Sequence, residues 1–173
     1  MLFQRLALSK DKKEVLRLSE EGQVIEKPED IIKDPYIFEF TGLPQLPVYK
    51  EGDLEKALID NISKFLLELG KGFAFMGRQQ RINIGGRIFK VDIVFYHTIL
   101  KCYVLIDLKR GEVQHEDIGQ MNMYLNYYRE EVNTEGDNEP IGIVLGAYED
   151  KLMVKYATQN ISNKLFVSKY QLY

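Results

Sequence analysis

The chain has 173 residues, enough for one ordinary domain plus some extra length at an end, and enough to bury a core without disulfides or a structural metal. Hydrophobic residues make up 45% and charged residues 28%, which excludes a disordered chain, and no apolar run is long enough to span a membrane. A single cysteine, no signal-peptide pattern and a formal net charge of −3 fit a reducing cytoplasm and argue against a non-specific basic coat for nucleic acid, though not against an acidic catalytic site.

Met1 to Pro47 differs in character from the remainder of the chain. Lys10 to Glu21 is highly charged with sparse apolar spacing, which predicts a short surface helix, and Pro28, Pro35, Pro44 and Pro47 break any longer one. Residues 1–47 thus read as an arm or connector packed on a domain spanning 48–173, and a partly disordered tail fits as well. From Asp53 the pattern sharpens. Leu54, Leu58, Ile62, Phe65, Leu66 and Leu69 recur at helical spacing, with Asp53 as a cap and Gly70 as a stop.

Phe73 to Ile84 alternates as a strand, Gly85-Gly86 signals a tight hairpin, and Arg87 to Tyr96 forms the return strand. A turn over His97 to Lys101 leads into a strand at Tyr103 to Leu108, whose apolar run holds Cys102 as a buried, inert thiol. Helical spacing runs from Gln114 to Glu131, a polar loop from Asn133 to Pro140, and a buried strand from Ile141 to Ala147. A helix over Glu149 to Thr158 and a strand over Leu165 to Tyr170 complete the order α-β-β-β-α-β-α-β. That order implies a mixed central β-sheet flanked by helices, an α/β fold.

Chemistry concentrates in two strings, Lys90-Val91-Asp92-Ile93-Val94-Phe95-Tyr96 and Val104-Leu105-Ile106-Asp107-Leu108-Lys109-Arg110-Gly111. Side chains two apart on a strand share a face, so Asp107 and Lys109 point the same way, and the hairpin brings Asp92 within a residue or two of Asp107. Two carboxylates and an ammonium then converge at one end of an apolar sheet. Burying unpaired charge is expensive, and a hard cation such as Mg²⁺, which takes one or two carboxylates plus water and phosphate oxygens, supplies the reason. An Asp–Lys pair at a strand end, with Asp92 capping a turn, is the plainer alternative. No phosphate-binding loop of the Gly-x-x-x-x-Gly-Lys type exists, and one cysteine with two scattered histidines makes a poor zinc site. His97 and His115 fall in predicted turns and receive no catalytic role.

Several further strings resemble the bacterial YhcG-type family of PD-(D/E)XK nucleases: Leu54-Glu55-Lys56-Ala57-Leu58, Gly77-Arg78-Gln79, Asp92-Ile93-Val94-Phe95-Tyr96-His97, Ile106-Asp107-Leu108-Lys109, Gly119-Gln120-Met121-Asn122 and Ile141-Gly142-Ile143-Val144-Leu145. The resemblance runs from about Leu54 to the C-terminus and implies a restriction-endonuclease-like αβββαβ core. It implies that Asp92, Asp107 and the carbonyl of Leu108 bind Mg²⁺ or Mn²⁺, with Glu55 completing the shell, and that Lys109 orients the attacking water or steadies charge on the phosphate. Glu55 also fits a solvated helix residue. Gln120 and Tyr124, four apart on one helix face, match the Q-x-x-x-Y motif of RecB-like nucleases beside the active site, while Tyr124 equally fits core packing. Family members usually carry a helical N-terminal domain, so the chain resembles a C-terminal fragment. One departure is Asp107, where the family more often has Glu.

Arg78, Gln79 and Arg81 form the best local strip for backbone phosphates, with Arg110 near the site and Tyr124 beside it. The expected function is therefore divalent-metal-dependent hydrolysis of phosphodiesters, with DNA as the expected polymer and a homodimer if both duplex strands are cut. The alternatives are a nucleic-acid-binding module whose chemistry has lapsed and an assembly domain, to which the 11 tyrosines also lend themselves.

Overall fold

Alternating apolar residues from Phe73 onward lay down a long hairpin that seeds the sheet. In the computed structural model, which describes residues 25–32, 36–38, 56–57 and 70–172, the hairpin comprises β2 (Phe73–Ile84) and β3 (Arg87–His97), joined by Gly85 and Gly86 at φ 58° and 80°. Two successive positive φ angles match the right-handed twist of the paired strands, and glycine adopts them without a Cβ clash. β4 (Cys102–Leu108) adds antiparallel to β3.

The chain then crosses by α1 (His115–Tyr127) to β5 (Ile141–Gly146), parallel to β4, and by α2 (Lys151–Thr158) to β6 (Lys164–Leu172), parallel to β5. A short edge strand, β1 (Tyr36–Phe38), runs parallel to β6 and completes a six-stranded sheet of order β1-β6-β5-β4-β3-β2. The expected α/β architecture with a mixed sheet is therefore present.

The sheet separates two apolar layers. On one face Ile93, Phe95, Val104, Ile106, Ile143 and Leu145 pack with Ile25, Ile31 and Ala57. On the other, Val94, Leu105 and Val144 meet Ile118, Met121, Tyr124 and Leu125 of α1. Full burial of each such side chain is worth about 1.5–3 kcal/mol, so the two layers dominate the stability. By the alternation of β3 and β4, Asp92 and Asp107 lie on the face that α1 covers.

The differences from the sequence-based expectations have local causes. β1 is not expected from sequence because three residues after a proline carry no periodicity, and it is recognisable only by its pairing with β6. His97 ends β3 rather than lying in a turn; it is fully buried, edge-on to Phe73 at 4.8 Å, and its Nδ1 accepts a bond from Leu100 N–H at 3.1 Å. The helix expected to Glu131 is α-helical only to Tyr127 and continues as a π-helical turn, Tyr128–Val132, closed by Asn133 N–H on the Tyr128 carbonyl at 2.8 Å. α2 starts at Lys151 because the Asp150 carboxylate caps it, accepting bonds from Leu152 N–H (2.9 Å) and Met153 N–H (3.1 Å). The helix expected over Lys10–Glu21 lies outside the described residues. Of the one expected over Leu54–Leu69, Lys56 and Ala57 are described and are helical; Glu55 is not described. Among the described residues no helix is long and apolar enough to cross a membrane.

α1 sits close on β5 at Gly142, where an added Cβ would lie 2.7 Å from Met121 Cγ and 2.9 Å from Leu125 Cδ1. Gly142→Val should therefore lift the helix that covers the carboxylates, costing about 1–3 kcal/mol by overpacking. Thermal unfolding checks this, and a melting temperature equal to that of the parent chain would refute it.

Candidate active site

Asp92 and Asp107 face each other across the β3–β4 ladder. The register pairs Ile93 with Ile106, so the next step along both strands sets Asp92 opposite Asp107. The backbone N–H of Asp92 donates to Asp107 Oδ1 at 3.3 Å, and that of Leu108 donates to Asp92 Oδ2 at 2.9 Å. Each carboxylate is thus held by the other's strand. From the β2 side, Gln79 Nε2 donates to Asp92 Oδ1 at 3.0 Å.

Asp107 is only 3% exposed. Burial first, and then the negative charge of Asp92, push its carboxyl well above the ordinary carboxylate range, while Lys109 pulls it back in part. A buried carboxylate beside a second carboxylate is the environment a hard cation relieves. Among the described residues no group of three or more His, Cys, Asp or Glu side chains is gathered to hold an ion. Asp92 and Asp107, with the Leu108 carbonyl on the same strand, fit Mg²⁺, which keeps several positions for water and phosphate oxygens.

Lys109 leaves the sheet just past β4. Its backbone N–H donates to the Leu145 carbonyl at 2.7 Å, which fixes the strand end against β5. Its Nζ lies 3.5 Å from Asp117 Oδ1, and both side chains are about four-fifths covered, at 20% and 18% exposure. Asp117 also holds the start of α1, its Oδ2 accepting from Gln114 N–H at 2.8 Å. Sequence reasoning does not single out Asp117. The available signal is an acidic residue in the first turn of the helix after Lys109, where carboxylates are favoured by the helix dipole.

Tyr124 is buried at 2% exposure in the core between α1 and the sheet, edge-on to Phe89, with its hydroxyl donating to the Lys90 carbonyl at 3.3 Å. Its phenol is pushed up by burial and then by the charges of Asp107 and Asp92. Of the two readings of Tyr124, the structure shows the core side chain. Gln120, half-buried, stands one turn before it on α1. Arg78 and Arg81 lie on β2, both exposed, and Arg110 is exposed after Lys109, its carbonyl accepting from Tyr170 OH at 3.2 Å. Gln79 differs from these arginines in that its amide is engaged with Asp92. His97, by its pairing with Cys102, lies at the other end of β3, away from the carboxylates. Cys102 is buried, and burial pushes its thiol up to about 11, as expected of an inert core cysteine.

Comparison with known proteins bears on the family and the fold. Residues 29–173 match the family described as YhcG PDDEXK nuclease domain. The chain is 39% identical over 170 residues to YhcG of Escherichia coli (strain K12), covering 98% of this chain and 45% of that protein, so it spans less than half the length of that relative. Among solved structures, an EndoMS–dsDNA2 complex superposes with a TM-score of 0.52 at 18% identity, over 74% of this chain and 47% of that one. A repair endonuclease from Pyrococcus abyssi gives a TM-score of 0.49 at 21% identity, over 72% and 49%. The first superposition and the mixed sheet agree on a restriction-endonuclease-like α/β fold.

Proposed function

We propose, for a chain that belongs to the YhcG PDDEXK nuclease domain family, that it hydrolyses phosphodiester bonds in DNA with the help of Mg²⁺ or Mn²⁺ at Asp92 and Asp107. The observation that carries this reading is the almost fully buried Asp107 carboxylate set opposite Asp92, each bonded to the other's strand. When bound, a divalent ion supplies charge relief on phosphoryl oxygens and acidifies a water molecule. Asp92, Asp107 and the Leu108 carbonyl would hold it, and Glu55 is the candidate fourth ligand.

The remaining work falls to the chain's own groups. Lys109, at the end of β4 on the carboxylate side, directs its ammonium toward the phosphate and offsets charge that grows in the transition state. Asp117 pairs with that ammonium and ties it to the start of α1. Gln120, one turn before Tyr124 on the same face of α1, is the further side chain assigned to the site. Arg78, Arg81 and Arg110 supply cations for the flanking phosphates, which fix register without reading sequence. The described residues hold one such site, which would cut one strand, so a double-strand cut calls for two copies.

The test is incubation of linear duplex, branched and single-stranded DNA with the chain and Mg²⁺ or Mn²⁺, with a chelator as control. Cutting that requires the added metal is the expected result, and the preferred substrate identifies the nucleic acid it serves. Absence of cutting on every substrate, with no heat of metal binding by calorimetry, would overturn the proposal.

A further inference from the structure

β2 is irregular where it passes the carboxylates. Its register against β3 slips between Phe75 and Gly77, leaving Met76 as an extra residue. Three residues on, Gln79 stands at φ 47°, in the left-handed region that side-chain-bearing residues seldom adopt. Its neighbours keep the ladder, with Arg78 opposite Ile93 and Gln80 opposite Val91. The distortion at this point therefore falls on the residue that faces Asp92. Strain of this kind persists only where the surroundings over-determine it, and it gathers at functional sites.

The strained residue makes a specific bond. Gln79 Nε2 donates to Asp92 Oδ1 at 3.0 Å, while Leu108 N–H donates to Oδ2 at 2.9 Å. With a donor on each oxygen, the Asp92 carboxylate cannot turn about its Cβ–Cγ bond without losing one of them. A neutral amide also orients the carboxylate without neutralising it, whereas Lys or Arg at this point would compete with a metal ion for the same charge.

We infer that Gln79 is a positioning residue for Asp92, and that the kink in β2 exists to aim its amide at that carboxylate. The inference rests on the reading of Asp92 and Asp107 as metal ligands. It also separates Gln79 from the phosphate-contacting strip to which Arg78 and Arg81 are assigned.

Two substitutions isolate the amide from the strain. Gln79→Met keeps the length and the backbone conformation but has no donor, while Gln79→Gly has no donor and relieves the φ angle. Mn²⁺ affinity, measured by calorimetry on the full 173-residue chain, should fall about tenfold in both, the usual consequence of removing a residue that orients a metal ligand. In the same chains kcat for DNA should fall with KM unchanged, and metal-free Gln79→Gly should melt no lower than the parent chain. Mn²⁺ affinity retained in either variant, or a Gln79→Gly chain that loses melting temperature together with affinity, would overturn the assignment while leaving the metal site standing. A parent chain that binds no Mn²⁺ would overturn both.

Discussion

Asp107→Asn is expected to abolish cleavage and, at the same time, to make the metal-free protein more stable above neutral pH. The two effects share a cause. Asp107 is nearly inaccessible and stands opposite Asp92, so its ionised form is disfavoured in the fold by burial and by like charge. Its folded pKa is raised from 3.8 to about 7. A carboxyl with a raised folded pKa contributes stability that is fully present below the unfolded value and is lost as pH rises through the folded one. Between about pH 4 and pH 8 the parent chain should therefore lose stability that the asparagine variant keeps. The amide replaces the carboxylate with little change of shape, and its Oδ1 can still accept the bond from Asp92 N–H. Added Mg²⁺ should reverse the order, stabilising the parent by mass action and leaving the variant unmoved. Cleavage should fall by about 10³-fold or more, equivalent to about 4 kcal/mol of transition-state stabilisation. Melting curves across that pH range, with and without Mg²⁺, together with the cleavage rate, check both halves. A variant that is no more stable at pH 8, or that still cuts, would remove Asp107 from the metal site.

The same pair of residues shows how far a sequence can be read. Asp92 and Asp107 are legible because each interrupts an apolar strand and the hairpin between them is short enough to set the register. The structure tightens the expectation from within a residue or two to directly opposite. The Gly85-Gly86 hairpin is legible for a similar reason, since its geometry needs residues that tolerate positive φ. Gln79 and Asp117 are not legible in their roles. The φ angle of Gln79 belongs to the irregular stretch of β2 and leaves no mark on its neighbours along the chain. The contact between Asp117 and Lys109 depends on how α1 crosses the end of β4. β1 escapes notice on the same grounds, because three residues acquire strand character only when a partner edge is present. Periodicity reports what a segment does by itself. Contacts between segments appear in sequence only where a turn is short enough to dictate them.

Lys109→Met should separate the chemical step from metal binding. Methionine keeps an apolar stem of similar reach, and the backbone N–H of residue 109 can still bond the Leu145 carbonyl, so β4 should end as it does now. What is lost is the ammonium 3.5 Å from Asp117, on the same side of the strand as Asp107. Removing a cation beside two carboxylates should leave Mn²⁺ affinity unchanged or slightly stronger, because the ion no longer competes with Lys109 for their charge. The cleavage rate should nonetheless drop by about 10²–10³-fold, the usual loss when one preorganised group facing developing charge is removed. Asp117→Asn should give a milder loss, about tenfold by the scale for groups that orient reactive residues, because it frees the ammonium without deleting it. Calorimetry with Mn²⁺ and single-turnover cleavage on the same preparations check the division. If Lys109→Met cuts as fast as the parent chain, the lysine serves only to anchor α1 through Asp117. If it loses metal affinity in step with cleavage, it acts by holding the carboxylates in place, and the charge on the phosphate must be met by another group, with Arg110 the nearest candidate in sequence.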